Sequence, residues 1–158
     1  MRLVVQRARR AVVRTGDEVV GEIGKGAVVL VGIGRHDDPE SVRRMADKLI
    51  GLRYFEDAEG RTNADLAEAR GELLVVSQFT LYADLRRGRR PGFTDAAQPE
   101  VAAPLVDAFV AMLRERGATV ATGRFGATMT VEVVNDGPFT LLLDSERDLA
   151  TGSGPHPS

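Results

Sequence analysis

The sequence predicts an α+β fold in which mostly antiparallel β-sheets pack with two main helices. Strand-like runs follow one another and are broken by two helical stretches, without the strict alternation of a parallel α/β fold. Only two segments, 42–50 and 101–113, place apolar residues at three-to-four spacing. Two apolar runs, 27–33 and 73–76, show no alternation and read as strands covered on both faces. At 158 residues the chain fits one domain, expected over 1–145, and it holds no internal repeat.

Leu3, Val4 and Val5 begin a strand that carries Gln6 and Arg7, and residues 11–14 make a second that enters a turn at Thr15, Gly16 and Asp17. Gly24 and Gly26 punctuate the chain before the central strand at 27–33, so the N-terminal third is a strand meander. A helix starts after Asp37 or Asp38 with Pro39 at its first position, carries Val42, Met45, Ala46, Leu49 and Ile50 on one face, and stops at Gly51. Residues 52–55 form a short strand, 57–60 a turn and 64–69 a helical turn.

The run at 73–76 ends on a polar step, Ser77 and Gln78, before Phe79, Thr80 and Leu81. A basic stretch follows, with Arg86, Arg87, Arg89 and Arg90 around Gly88. The second helix spans 99–116, with Val101, Leu105, Ala108, Phe109, Met112 and Leu113 as its stripe and Gly117 closing it. A strand at 118–122 and a loop at 123–126 lead to the last pair of β-rich runs. These flank Asn135, Asp136, Gly137 and Pro138, a tight corner that reads as a hairpin-like bend. Past Asp144 the composition shifts to Gly, Ser, Pro and His, so a flexible tail is expected over 146–158.

Lys+Arg 21 against Asp+Glu 23 gives a net charge of −2, which excludes a globally basic nucleic-acid binder but not a local basic patch. The absence of cysteine removes disulfides, thiolate nucleophiles and cysteine-based zinc sites, and agrees with a cytoplasmic location. No apolar run is long enough to span a membrane, and the N-terminus lacks the apolar core of a signal peptide. A soluble protein without membrane or DNA partners is expected.

The histidine inventory excludes more. A serine-hydrolase role for Ser77 needs a histidine base within hydrogen-bond reach, yet the two histidines are His36, in a turn before a helix, and His156, in the tail. The same shortage argues against catalytic zinc, and lone acids such as Glu132 and Asp136 are usually surface or turn groups, so no metal and no cofactor is assigned. A hydrolytic site here must work with backbone N–H groups, hydroxyls, an ordered water and the substrate itself. Oriented donors of that kind are worth about 3 to 4 kcal/mol each towards a developing oxyanion. An X-Pro bond such as Gly137-Pro138 is cis at a cost of only about 0.5 to 1 kcal/mol, and a cis bond points neighbouring carbonyls the same way; the dipeptide alone more simply makes a turn.

Ser-Gln-Phe-Thr-Leu at 77–81 and Asn-Asp-Gly-Pro-Phe-Thr at 135–140 closely resemble the signature pair of the D-aminoacyl-tRNA deacylase family. Residues 1–7, 21–34, 53–60, 71–90 and 123–144 follow the family's pattern in the same order. The resemblance implies a layered β/α sandwich, a homodimer, and hydrolysis of the ester between a D-amino acid, or glycine, and the terminal adenosine of tRNA. It places catalysis on the main chain of Ser77, Gln78, Phe79 and Thr80, with Phe79 giving the donor nearest the carbonyl and the adenosine 2′-hydroxyl helping to activate water. Thr80 then positions rather than attacks. Gly137 and Pro138 would reach into the other subunit's pocket, gripping the substrate's α-amino group and leaving no room for an L side chain. Glycine, lacking a side chain, would pass this filter.

Gln6 and Arg7 match the family's N-terminal Gln-Arg pair, and Arg7 supports the Gly-Pro corner or else serves as an edge-strand solubilising arginine. Met129 lines the pocket by the same resemblance, or fills the core. Arg86, Arg87, Arg89 and Arg90 would meet tRNA phosphates near the acceptor end; a solvated loop is the plainer alternative. Phe139 stands where the family has a small β-branched residue, Thr62 and Ala64 replace larger apolar residues, and Gly92 stands where serine is common. A catalytically silent module that holds a tRNA acceptor end is the competing reading, and a generic serine esterase a third.

Overall fold

The structure, a computed structural model, describes residues 1–149. Its organising element is one 14-residue strand, β1 (Arg2–Thr15), where the sequence predicts two. Arg9 and Arg10 interrupt the apolar pattern by facing solvent, and the register with β8 shifts between Ala8 and Arg10, but pairing resumes at Arg10 and the strand continues. The first half of β1 pairs antiparallel with β3 (Gly26–Gly32) and its second half with β2 (Glu18–Ile23), a strand that the sequence reading did not mark.

The chain then crosses over to β6 (Glu72–Ser77), parallel to β3, and to β7 (Thr119–Thr122), parallel to β6. The sheet order is β2-β1-β3-β6-β7, with a two-stranded ribbon of β4 (Phe55–Glu56) and β5 (Thr62–Ala64) apart from it. Two parallel pairings in an otherwise antiparallel arrangement keep the fold in the α+β class.

The run at 73–76 has no alternation because both faces are covered. Leu73 and Val75 join Val29 and Val31 under the helices, while Leu74 and Val76 join Val28, Ala11, Val13 and Ile23 in a second core on the opposite face. Helix α1 (Pro39–Gly51) begins where expected: Asp38 caps it, accepting from Ser41 N at 2.8 Å, and the Ser41 hydroxyl accepts from Asp38 N at 3.1 Å. Helix α2 (Pro99–Glu115) buries Ala102, Leu105, Val106, Phe109, Val110 and Leu113, a stripe rotated from the predicted one, so Val101 is 50% exposed.

The expected hairpin at 135–138 is a different object. Strand β8 (Thr130–Asp144) runs along the free edge of β1 throughout, with 130–135 opposite 8–14 and 140–144 opposite 2–6. Residues 136–139 therefore bulge out of a single strand and do not reverse its direction. The predicted tail is helical at its start, in α3 (Ser145–Asp148), capped by Asp144 and tied back by Ser145 N donating to Met1 O at 2.8 Å. The tail from 150 onward lies outside the described residues.

Candidate active site

Ser77 ends β6 in register with Val31 of β3, and the next residue, Gln78, gives its N–H to Val31 O at 2.7 Å. There the extended ladder stops and a 3₁₀ turn, Phe79–Tyr82, begins. No side chain caps this turn, so the N–H groups of Phe79 and Thr80 stand at its start without an intrahelical acceptor. The Gln78 amide donates to the Thr80 hydroxyl, which fixes both side chains beside the turn. Gly32 lets the turn lie against β3: a Cβ there would come within 2.9 Å of Leu81 Cβ and 3.1 Å of Gln78 O. From the other side Arg2 donates to Leu81 O at 2.9 Å and lies over the Tyr82 ring at 4.5 Å. Burial, helped by Asp37, raises the pKa of Tyr82 well above the usual phenol value.

Beside Ser77, Gln78 and Phe79 opens a cavity of about 480 Å³, walled by Val76, Val106, Phe125, Met129 and Val131 among others. No Asp, Glu, His, Lys or Arg side chain lines it. Met129 is half-buried there, its sulfur accepting from Arg124 N at 3.3 Å, so it both lines the cavity and packs. His36 is exposed and belongs to a different cavity, of about 470 Å³, shared with Met1 and Tyr82; His156 lies outside the described residues. Among the described residues no three His, Cys, Asp or Glu side chains cluster to hold a metal ion. The cavity offers unpaired peptide donors, the Ser77 hydroxyl and an apolar wall, with Thr80 outside its lining and linked to it through Gln78; together these can polarise a bound carbonyl but provide no strong base.

The corner at 136–139 is held as a unit on its own chain. Arg7 is 6% exposed, donates to Asp136 O at 3.0 Å and Tyr54 O at 2.9 Å, and lies over the Phe139 ring at 4.5 Å. Asn135 spans the neck of the bulge, donating to Arg7 O at 2.8 Å and Phe139 O at 3.1 Å. Gly137 and Pro138, joined by a cis peptide, are exposed at its tip. Gln6 reaches only Thr140, at 3.4 Å.

Neither Gly137 nor Pro138 lines the cavity of its own chain. Strands β1 and β3 lie between β8 and β6, and Arg7 is four residues along β1 from Leu3, the β1 residue level with Ser77, so strand spacing puts the two on the order of 20 Å apart along the sheet. Apart from the basic loop, the predicted site residues thus fall into two groups that one chain does not bring together: Ser77, Gln78 and Phe79 with Met129 at the cavity, and Gly137 and Pro138 with Arg7 and Gln6 at the corner.

The basic loop is closed by Asp84 and Gly92, which exchange backbone hydrogen bonds of 2.7 and 2.9 Å. Arg86 forks onto the Asp84 carboxylate at 2.8 Å through each of two nitrogens. That contact holds the carboxyl below its usual range, so Asp84 stays charged opposite Arg86 at ordinary pH. Arg87, Arg89 and Arg90 are exposed. Phe93, Phe125, Asn135 and Arg2 were not singled out from the sequence. Asn135 alone carried a signal, as the first residue of the corner motif.

A sequence profile of the family described as D-Tyr-tRNA(Tyr) deacylase matches residues 4–144. A D-aminoacyl-tRNA deacylase of Roseiflexus sp. (strain RS-1) is 61% identical over 145 residues, 92% of this chain and 94% of that protein. Another from Symbiobacterium thermophilum is 57% identical over 147 residues, 93% of this chain and 97% of that protein. Among solved structures, the c-Myc DNA Unwinding Element Binding Protein superposes with a TM-score of 0.86 at 38% identity, covering 91% of this chain and 98% of that one. A probable eukaryotic D-amino acid tRNA deacylase at 21% identity, with a TM-score of 0.75, shares the fold.

Proposed function

The chain belongs to the D-Tyr-tRNA(Tyr) deacylase family and hydrolyses the ester bond of D-aminoacyl-tRNA, and from that premise we propose that it does so as a homodimer whose pocket is made of peptide groups. The observation that carries this reading is a cavity at Ser77 to Phe79 without one ionisable side chain. The terminal adenosine and its ester occupy that cavity, and water adds to the ester carbonyl carbon. The oxyanion forms opposite the N–H of Phe79, and the C–O bond to the ribose breaks. The adenosine 2′-hydroxyl orients the water and relays its proton to the leaving ribose oxygen, so no protein base is required.

Gly137 and Pro138 enter the pocket from the partner subunit, accept hydrogen bonds from the substrate's α-amino group and occupy the volume an L side chain would need. Support for a second copy comes from the distance between corner and cavity, and from the exposed face of edge strand β8, where Val134 is 40% and Leu142 55% exposed. Among the described residues no helix is long and apolar enough to cross a membrane. We place the work in the cytoplasm, beside charged tRNA.

Purified protein incubated with D-tyrosyl-, L-tyrosyl- and glycyl-tRNA should release D-tyrosine fast, glycine at a measurable rate and L-tyrosine at the uncatalysed rate. Inertness towards glycyl-tRNA at enzyme excess would remove the steric filter. Binding of all three without ester loss would instead favour the silent acceptor-end module.

A further inference from the structure

A strand that delivers its 3′ end to this cavity leaves across the rim, where two aromatic exits stand. At one, Phe125 is 42% exposed, but the adjacent Arg124 is engaged by Glu18 at 3.3 Å. At the other, Phe79 is 57% and Phe93 38% exposed, their rings edge to face with centroids 5.0 Å apart. Phe93 directly follows Gly92, the residue that closes the basic loop, so Arg87, Arg89 and Arg90 hang from a stem fixed to the aromatic pair. Among the described residues none of these three has an acidic partner, in contrast to Arg86. Exposed rings beside uncompensated cations are the combination that single-stranded nucleic acid uses, with stacking for bases and charge for phosphates.

We propose that Phe79, Phe93 and the loop at 84–92 form a second nucleotide subsite, which stacks the unpaired base preceding the terminal adenosine and holds its phosphate through Arg87, Arg89 and Arg90. The proposal rests on the reading that the cavity takes the aminoacyl-adenosine end of tRNA. Charge chooses RNA over a second copy of the chain as the occupant. A two-fold contact whose axis passes through this loop would bring its arginines together with their own counterparts, whereas a phosphate backbone meets them with opposite charge. Aromatic faces stack any base, so the subsite tolerates sequence and adds affinity in common to all tRNAs.

The test compares three D-tyrosyl esters on the wild-type protein: of adenosine, of the dinucleotide CpA, and of the same dinucleotide lacking its first base. The CpA ester should exceed the adenosine ester in kcat/KM by about tenfold. The abasic ester should lose most of that gain, keeping a remainder that vanishes at high salt. Phe93→Ala should bring the CpA-to-adenosine ratio near one, and Phe93→Leu, which keeps bulk without a π face, should restore it only in part. Equal rates on the three esters overturn the subsite. So does a Phe93→Ala protein that changes sedimentation but keeps the ratio, which assigns the rings to a protein interface. Failure to cleave any ester, together with intact D-tyrosyl-tRNA, overturns the activity reading itself and is told apart by that last measurement.

Discussion

Ser77 lines a cavity with no base, and Thr80 is exposed on the turn beside it, outside the lining, so neither should behave as a nucleophile. Ser77→Ala and Thr80→Ala should each retain kcat on D-tyrosyl-tRNA within about tenfold, where loss of an acyl-enzyme nucleophile costs on the order of a millionfold. Substrate ending in 2′-deoxyadenosine should be slower by roughly two orders of magnitude, the usual worth of a positioned proton relay. A bell-shaped pH profile centred on a histidine-like value would contradict both expectations. Arg7 is a different kind of residue, a buried cation whose fork satisfies the Asp136 and Tyr54 carbonyls. Arg7→Ala leaves those groups unpaired at roughly 1 to 3 kcal/mol each, and Arg7→Lys should not rescue, since one ammonium cannot span both. Chemical denaturation read beside the D-to-L rate ratio checks this. The motif residues were legible in the sequence because their types are unusual in those contexts. Arg2, Phe93 and Phe125 were not, because an isolated arginine or phenylalanine carries no sign of which ring or cavity the fold will bring to it.

At the scale of elements, the site depends on how closely the 3₁₀ turn lies on β3. Gly32→Ala puts a methyl group 2.9 Å from Leu81 Cβ and 3.1 Å from Gln78 O, so the turn must shift by several tenths of an ångström and carry the Phe79 donor with it. That variant should lose one to two orders of magnitude in kcat while its melting temperature falls by only a few degrees, because the displacement is local. Equal, severe loss of both would make Gly32 a packing residue and nothing more. The start of helix α1 was legible to within a residue, since Asp37, Asp38 and Pro39 spell it chemically, and the choice of Asp38 as the cap, with Ser41 answering it, comes from the structure. The bulge in β8 was misread as a hairpin because Asn-Asp-Gly-Pro has the chemistry of a reversal. Only the pairing of both flanks with the same strand β1 tells the two apart, and that is tertiary information. In the same way β1 looked like two strands because solvent-facing arginines break the apolar pattern, while the strand itself passes through a register shift there without ending.

The whole molecule poses one question, since each chain holds a pocket and a corner that do not meet. A symmetric pair solves it if each corner enters the other's pocket, and the surface so used must be self-complementary. Gly137→Ala damages only the corner, since its added Cβ falls 2.3 Å from Phe139 N, and Gly32→Ala damages only the pocket turn. Each homodimer should be nearly inactive on D-tyrosyl-tRNA. Subunits unfolded together and refolded as an equal mixture form about half heterodimers, and each heterodimer unites one intact corner with one intact pocket. The mixture should therefore recover roughly a quarter of wild-type activity, rising and falling with the heterodimer fraction seen by native mass spectrometry. Were each chain to complete its own site, no mixing ratio would restore any activity, because every chain in the mixture would carry one lesion in the only site it serves.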